Sequence, residues 1–224
     1  MTQDQNVKEV ELKVKNHFHD DAERFDAIYE KEKGPFAKFV DNKWRGVVQK
    51  RLEVNVARLQ PLKGKSVLDV GCGSGRFCLE YAKNGATRVL GVDFAPGMID
   101  IANRLAKEFA VENQCEFRVG TFPEIVKDSD LPFDASTANG FFDYVAEPIP
   151  IIAKMREMTR GTMIMSFPKA VEFRVPLRRV RFWLKGTPLF LYRKKQIENI
   201  LAEAGVDNYE CIDLIRDYLV IAEV

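Results

Sequence analysis

Residues 66–75 read Ser-Val-Leu-Asp-Val-Gly-Cys-Gly-Ser-Gly, and this stretch decides the fold of the chain. Its first half, 66–70, is short and apolar, as in a buried strand, and a helical pattern follows over 77–83. Glycines at this junction allow a tight turn and let a ligand approach the backbone closely. The free N–H groups at the start of a helix suit a carboxylate or a phosphate. The stretch therefore predicts a ligand-binding turn between a strand and a helix.

Strands and helices alternate on the C-terminal side of this turn. Strands are predicted at 87–92, 115–119, 133–137 and 162–167, and helices at 96–109, 147–158 and 194–204. Such alternation gives a parallel sheet with helices on both faces. The last strands, 209–214 and 218–223, are too close for a parallel crossover, which needs a dozen or more residues. We therefore expect a doubly wound α/β fold whose seven-stranded, mostly parallel sheet has an antiparallel C-terminal strand.

The N-terminal residues 1–60 have a helical pattern instead. Their apolar residues recur at helical spacing, at 7, 10, 14 and 18 and again at 47, 48, 52, 56 and 59. Gly34-Pro35 separates the two runs, and Pro61 ends the second. The pattern predicts a helical cap over 1–60 and a ligand-binding domain over 61–224.

The composition is that of a globular domain. The 224 residues are 46% hydrophobic and 30% charged. A net charge of +1 gives no strong field, so nucleic acid is not expected as a partner. The four cysteines have no paired spacing and predict reduced thiols. No signal-peptide pattern and no membrane-length apolar run is found, which indicates a cytoplasmic location.

A carboxylate ends the second predicted strand. Asp93 follows Gly71 by 22 residues, at a place where an acid can accept hydrogen bonds from a ribose diol. A nicotinamide or flavin dinucleotide is the alternative ligand. Its G-x-G-x-x-G fingerprint requires glycine at position 76, where this chain has Arg76.

The spacing Asp69-x-Gly71-x-Gly73-x-Gly75, with Asp93 further on, resembles the class I S-adenosylmethionine (SAM)-dependent methyltransferase family. The resemblance covers roughly residues 60–224, including the terminal hairpin, and implies SAM as cofactor and S-adenosylhomocysteine (SAH) as product. The implied contacts are Asp69, Gly71, Cys72 and Gly73 along the methionine part, Asp93 at the ribose, and Phe94, Met98, Thr121 and Phe122 around the adenine. Many relatives have an acid where this chain has Thr121, and core packing is the alternative for Phe94, Met98 and Phe122.

Residues 138–144, Ala-Asn-Gly-Phe-Phe-Asp-Tyr, follow the fourth predicted strand. In the family this loop lies beside the transferring methyl group. The sequence does not match the N/D-P-P-Y/F pattern of DNA and protein-amide methyltransferases, which argues against those acceptors. We expect contacts to the cofactor from Asn139 and Gly140, an acceptor pocket lined by Phe141 or Tyr144, with Tyr144 as a candidate catalytic residue, and burial of Phe142 against the sheet.

The segment 18–29 resembles a pattern, F-x-x-x-A-x-x-F-D-x-x-Y, that precedes the domain in many small-molecule methyltransferases. By this resemblance Tyr29 folds onto SAM. His19 is a candidate general base for a hydroxyl or amine acceptor, since an imidazole titrates near neutral pH. The alternative places His17 and His19 on an exposed helix end.

The segment 169–195 carries nine Lys and Arg residues against the single acid Glu172, interleaved with aromatic and aliphatic residues. Such a basic amphipathic insertion can meet an anionic substrate or a membrane surface. The alternative is a helix packed on the domain with a solvated basic face.

Together these features predict transfer of a methyl group from SAM to an oxygen or nitrogen of a small-molecule or lipid-linked acceptor. The basic insertion would allow this acceptor to be anionic. Positioning supplies much of the rate, and a general base is needed only if the acceptor must lose a proton. No metal is expected, because no ligand-spaced cluster is visible. The alternatives are a non-catalytic SAM-binding regulatory or assembly protein, an RNA methyltransferase that uses 169–195, and a NAD-type oxidoreductase.

Overall fold

The computed structural model describes residues 35–170 and 189–224. The helices are α1 (Pro35–Leu59), α2 (Arg76–Lys83), α3 (Pro96–Glu108), α4 (Pro148–Met158) and α5 (Lys194–Glu203). The strands are β1 (Ser66–Val70), β2 (Arg88–Asp93), β3 (Cys115–Val119), β4 (Phe133–Ala138), β5 (Thr159–Pro168), β6 (Tyr209–Asp213) and β7 (Asp217–Glu223). One short 3-10 turn, Asp128–Asp130, precedes β4.

The seven strands form one sheet in the order β3-β2-β1-β4-β5-β7-β6. Strands β1 to β5 pair in parallel, and β7 runs antiparallel to both β5 and β6. The predicted doubly wound fold with an antiparallel C-terminal strand is therefore confirmed. The strand order reverses between β1 and β4, and ligands of such sheets bind in the crevice outside the carboxyl ends of the strands at that point.

Two apolar clusters cover the sheet. Buried residues of α2 and α3 lie in one cluster, and buried residues of α4 and α5 lie in the other. The central strands β1 and β2 are buried on both faces, which explains their mainly apolar sequences. This packing fixes the loops at the carboxyl ends of the strands, where the candidate site lies.

Helix α1 packs into the first of these clusters. Leu52 and Leu59 are buried there, and Val48 and Val56 pack against it. The helix ends before Pro61, as predicted. The division of the chain at residue 60 remains a prediction, but the second half of α1 shares its core with the domain that follows.

Strand β5 begins at Thr159, three residues earlier than the predicted start at 162. Thr159 pairs with Phe133 across an irregularity in the register, after which Thr162 pairs with Ala135. Gly161 lies in the irregular part, where a Cβ atom would stand 2.5 Å from the carbonyl oxygen of Asp134. The sequence prediction was wrong here because Arg160 and Gly161 interrupt the apolar run.

Within 35–170 and 189–224, no helix is both long and apolar enough to cross a membrane.

Candidate active site

The glycine turn lies at the carboxyl end of β1 and is held against β2. The N–H groups of Gly71 and Cys72 both donate to the carbonyl oxygen of Val92, at 2.9 and 3.1 Å. Gly73 has φ +52°, and a Cβ atom there would have no heavy atom within 4 Å. The backbone at Gly73 is therefore open to the crevice, and glycine leaves room for a ligand to lie directly on it.

Asp93 fixes the shape of this turn from the end of β2. One of its carboxylate oxygens accepts the N–H of Gly73 at 2.9 Å, and the other accepts the N–H of Ala95 at 2.9 Å. Burial raises the pKa of the carboxyl, and the two backbone donors oppose that rise. Each carboxylate oxygen can accept a second hydrogen bond, so this side chain can still hold the hydroxyl groups of a ribose.

Asp69 lies beneath the turn rather than in the crevice, with 2% of its surface exposed. Its Oδ1 accepts the hydroxyl of Thr137 at 2.7 Å, and its Oδ2 accepts the thiol of Cys78 at 3.4 Å. Burial raises the pKa of this carboxyl to about 7, against the lowering effect of the two hydrogen bonds. The side chain thus joins β1 to β4 and to α2, and its contact with a ligand remains a prediction.

The side chains expected around an adenine differ in exposure. Met98 and Phe122 are buried, as the core-packing alternative proposed, whereas Phe94 is partly exposed and Thr121 is exposed. A further candidate for this face, which sequence reasoning did not consider, is Val119. It pairs in register with Asp93 and leaves 44% of its surface exposed. Its place at the end of a predicted strand, next to the strand that carries Asp93, was the available signal.

Cys72 is also buried. Burial raises the pKa of its thiol to about 11, so the thiol is neutral and unreactive near pH 7.

The loop after β4, residues 139–144, is called the active-site loop here because the sequence resemblance predicts that role for it. Its first residue, Asn139, forms a reciprocal amide pair with Asn55 of α1. Nδ2 of Asn139 donates to Oδ1 of Asn55 at 3.0 Å, and the reverse bond measures 3.3 Å. Asn55 is fully buried and also accepts the hydroxyl of Tyr81 at 3.0 Å. The sequence predicted a helical cap over 1–60 but not this contact between α1 and the loop.

Gly140, the next residue, lies beneath Arg51 of α1. The Nη1 atom of Arg51 is 3.3 Å from the position that a Cβ atom on Gly140 would take. The guanidinium of Arg51 is held by the buried carboxylate of Asp217, with Nε and Nη2 at 3.0 and 2.9 Å from Oδ2. The N–H of Gly140 donates to the hydroxyl of Ser166 at 2.7 Å. Two consecutive residues of the active-site loop thus contact α1.

The aromatic residues of the loop take different positions. Phe141 packs on Gly71, where a Cβ atom would come within 2.4 Å of its ring. Phe142 is fully buried and stacks on Phe167 with ring centroids 4.7 Å apart, so its predicted burial against the sheet is confirmed. Tyr144 is partly exposed, and its N–H donates to the carbonyl oxygen of Phe141 at 3.2 Å.

A family model described as "Methyltransferase domain" matches residues 61–205. The chain belongs to this methyltransferase family. The resemblance read from the glycine motif is therefore confirmed, and a NAD-type oxidoreductase is not supported. The matched range contains the glycine turn, Asp93 and the active-site loop, but it begins after α1.

Curated relatives of this methyltransferase align with only part of their own length. A ubiquinone biosynthesis O-methyltransferase of Azorhizobium caulinodans is 36% identical over 124 residues, 54% of this chain and 47% of that protein. A tRNA U34 carboxymethyltransferase of Saccharophagus degradans is 24% identical over 201 residues, 86% of this chain and 60% of that protein. The chain spans about half the length of the first curated relatives it matches.

Among solved structures, the methyltransferase is similar to magnesium protoporphyrin IX methyltransferase of Synechocystis PCC 6803 with bound SAH. The TM-score is 0.76 at 22% identity, over 94% of this chain and 97% of that one. At this identity the likeness supports the fold.

Some predicted features of the methyltransferase lie outside the described residues: His19, Tyr29 and most of the basic insertion, 171–188. Their roles remain predictions. At the described start of the insertion, Lys169 forms an ion pair with Asp213. Across 35–170 and 189–224, no group of three or more His, Cys, Asp or Glu residues could hold a metal ion.

Proposed function

We propose that this chain binds SAM and transfers its methyl group to an oxygen of a small organic acceptor, releasing SAH. The observation that carries the proposal is the turn at Gly73, open to the crevice and braced by Asp93 at the switch point of a methyltransferase sheet. The names of the curated O-methyltransferase relatives support oxygen as the acceptor atom.

The residues present fit such a cofactor. The open backbone at Gly73 gives room for the methionine part, and the oxygens of Asp93 can accept from both ribose hydroxyls. The exposed face of Val119, beside Asp93 in register, suits the apolar face of an adenine. SAM itself supplies an activated methyl on its sulfonium sulfur, so the protein has no need to create a strong electrophile.

The work left to the protein is positioning. Holding the acceptor oxygen and the methyl carbon in line at about 3–3.5 Å supplies up to roughly 7–11 kcal/mol of the barrier. In our proposal, Asn139 and Gly140 orient the cofactor, while Phe141 and Tyr144 line the acceptor pocket. All four residues are partly exposed at the crevice, which favours turnover over a non-catalytic role that would bury this loop.

The finer features of the acceptor are proposed on sequence grounds. Its hydroxyl loses a proton on methylation, and His19 or Tyr144 would take that proton as general base. An anionic or lipid-linked acceptor would account for the basic composition of 169–195, with the reaction placed in the cytoplasm and peripheral membrane contact through that segment.

A labelling experiment tests the proposal. The purified chain is incubated with methyl-labelled SAM and a fractionated cell extract, and label is counted separately in small polar molecules, lipids, RNA and protein. Asp93→Asn serves as the inactive variant, and Asp100→Asn, an exposed carboxylate on α3, is the matched control for the change of charge.

We expect label in a small-molecule or lipid fraction with the wild type and Asp100→Asn, and none with Asp93→Asn. Label confined to RNA would contradict the proposed acceptor and favour an RNA methyltransferase. This alternative is considered because the match to the tRNA-modifying relative is long. Absence of label in every fraction, with tight SAH binding, would favour the non-catalytic alternative.

A further inference from the structure

Helix α1 lies outside the range that the family model matches, yet it contacts the active-site loop. Asn55 is central to this contact. It lies on the buried side of the helix between Leu52 and Leu59, where an apolar residue would pack at no cost in hydrogen bonding, and it is fully buried. A polar side chain at such a place calls for a specific reason.

The side-chain amide of Asn55 uses its whole hydrogen-bonding capacity. Its Nδ2 donates to the carbonyl oxygen of Arg51 at 2.8 Å and to Oδ1 of Asn139 at 3.3 Å. Its Oδ1 accepts the hydroxyl of Tyr81 at 3.0 Å and Nδ2 of Asn139 at 3.0 Å. An asparagine amide offers two donor hydrogens and two acceptor lone pairs, and all four are occupied.

These partners also determine the orientation of Asn139. The carbonyl oxygen of Arg51 can only accept, so the Nδ2 end of Asn55 must face it. With Asn55 fixed in this way, the reciprocal pair fits only one orientation of the Asn139 amide. A fully satisfied buried polar network of this kind rigidifies its members and specifies a single arrangement.

The same face of α1 contacts the next loop residue. Arg51, one helical turn before Asn55, places its guanidinium over Gly140 and is itself held by Asp217. Two residues of α1 thus contact Asn139 and Gly140, the first two residues of the active-site loop.

We propose that Asn55 is a positioning residue for methyl transfer. It touches neither cofactor nor acceptor, but it holds Asn139, and with it the active-site loop, in the geometry that the reaction needs. The inference rests on the proposed function and extends it to a helix that precedes the family's own domain.

The test compares Asn55→Leu with Leu59→Ala. Asn55→Leu keeps the branched shape and the number of side-chain heavy atoms but removes all four hydrogen bonds. Leu59→Ala removes buried apolar volume four residues further along the same helix and leaves these bonds in place. Transfer is measured with methyl-labelled SAM and the extract fraction that the wild type labels, at a temperature where both variants are folded. SAH affinity is measured by calorimetry.

We expect Asn55→Leu to lower kcat by on the order of 10²-fold, as for a misplacement of about 1 Å, with little change in the KM for SAM or in SAH affinity. Leu59→Ala should keep a kcat close to that of the wild type. Combining Asn55→Leu with Asn139→Ala should cost little more than either change alone, because both break the same pair.

Equal kcat losses in Asn55→Leu and Leu59→Ala, or additive losses at positions 55 and 139, would overturn the inference while leaving the proposed function intact. A wild-type chain that binds no SAH or labels no fraction would instead refute the proposed function, and the inference would fall with it.

Discussion

The two sides of the crevice are built in different ways. On the side proposed to bind the cofactor, called the cofactor side, the glycine turn and Asp93 lie within one continuous βαβ segment, and most of their bonds involve backbone N–H and C=O groups. On the α1 side, the active-site loop is held by side chains from distant parts of the sequence. The Asn55–Asn139 pair joins residues 84 positions apart, and the Arg51–Asp217 pair joins residues 166 positions apart.

This difference has consequences for mutation. A turn held by backbone bonds keeps its shape when one side chain changes, so substitutions there should affect ligand binding more than folding. A loop held by buried side-chain pairs loses its support when one partner is removed, so substitutions there should affect the geometry of the loop and the stability of the fold. Each of the following predictions tests this contrast.

The largest effect is expected from Arg51→Met. The side chain of Asp217 is only 3% exposed, and without the guanidinium its charge would remain buried and unpaired. Breaking a buried ion pair in this way costs about 3–5 kcal/mol. We expect the free energy of unfolding, measured by urea denaturation, to fall by that amount.

The matched control is Arg160→Met. Arg160 also pairs with an aspartate, Asp134, but its side chain is 62% exposed. Exposed pairs of this kind contribute about 0–1 kcal/mol. A loss in Arg51→Met no larger than in Arg160→Met would show that the buried pair does not hold the α1 side of the crevice.

Asp93→Asn should give the next largest effect, and this effect should be on the affinity for SAH rather than on the free energy of unfolding. The asparagine amide accepts hydrogen bonds only through its oxygen, whereas both oxygens of the carboxylate accept. Contacts to the ribose hydroxyls are therefore lost. Hydrogen bonds to a charged group contribute about 1.5–3 kcal/mol each, which predicts an SAH affinity lower by on the order of 10²-fold. The unfolding free energy should change little, because removal of a partly buried charge offsets the lost backbone contact.

Calorimetric titration with SAH and urea denaturation of the same samples measure the two effects together, with Asp100→Asn as the control. The contrast between the two sides would be wrong if Asp93→Asn destabilised the fold as much as Arg51→Met does.

The same difference explains what the sequence could predict. The turn from Asp69 to Gly75 and the acid at Asp93 were predicted because both lie within one short segment of the sequence, at a recognisable spacing. The β6–β7 hairpin was predicted because its connection is short. The available signal for Asn55 was one polar residue at a helical spacing otherwise apolar. Nothing local could indicate that its partner would be Asn139.

Arg51 and Asp217 show the same limit. Each occupies an ordinary place for a charged residue, in the middle of a helix and at the start of a strand. Their pairing follows only from the position of β7 next to β5 and from the packing of α1, both of which are tertiary facts.

Asp69 lies where the two sides meet, since it belongs to the glycine motif and accepts the hydroxyl of Thr137 in β4. Its folded-state pKa of about 7 is above the ordinary value of 3.8. Between these values the unfolded chain loses the proton while the folded chain keeps it. The stabilisation by the neutral carboxyl is therefore complete below about pH 4 and is lost as the pH rises through about 7.

Asp69→Asn should abolish this dependence. The amide keeps an acceptor for Thr137 and stays neutral at every pH. The difference in unfolding free energy between the variant and the wild type should therefore increase by about 2 kcal/mol, in favour of the variant, from pH 5 to pH 7. Urea denaturation at a series of pH values measures the gain. Parallel profiles for the two proteins would mean that Asp69 is already ionised in the folded chain. Its carboxylate would then lie next to the glycine turn as a negative charge at pH 7, and the hydroxyl of Thr137 would donate to that charged group.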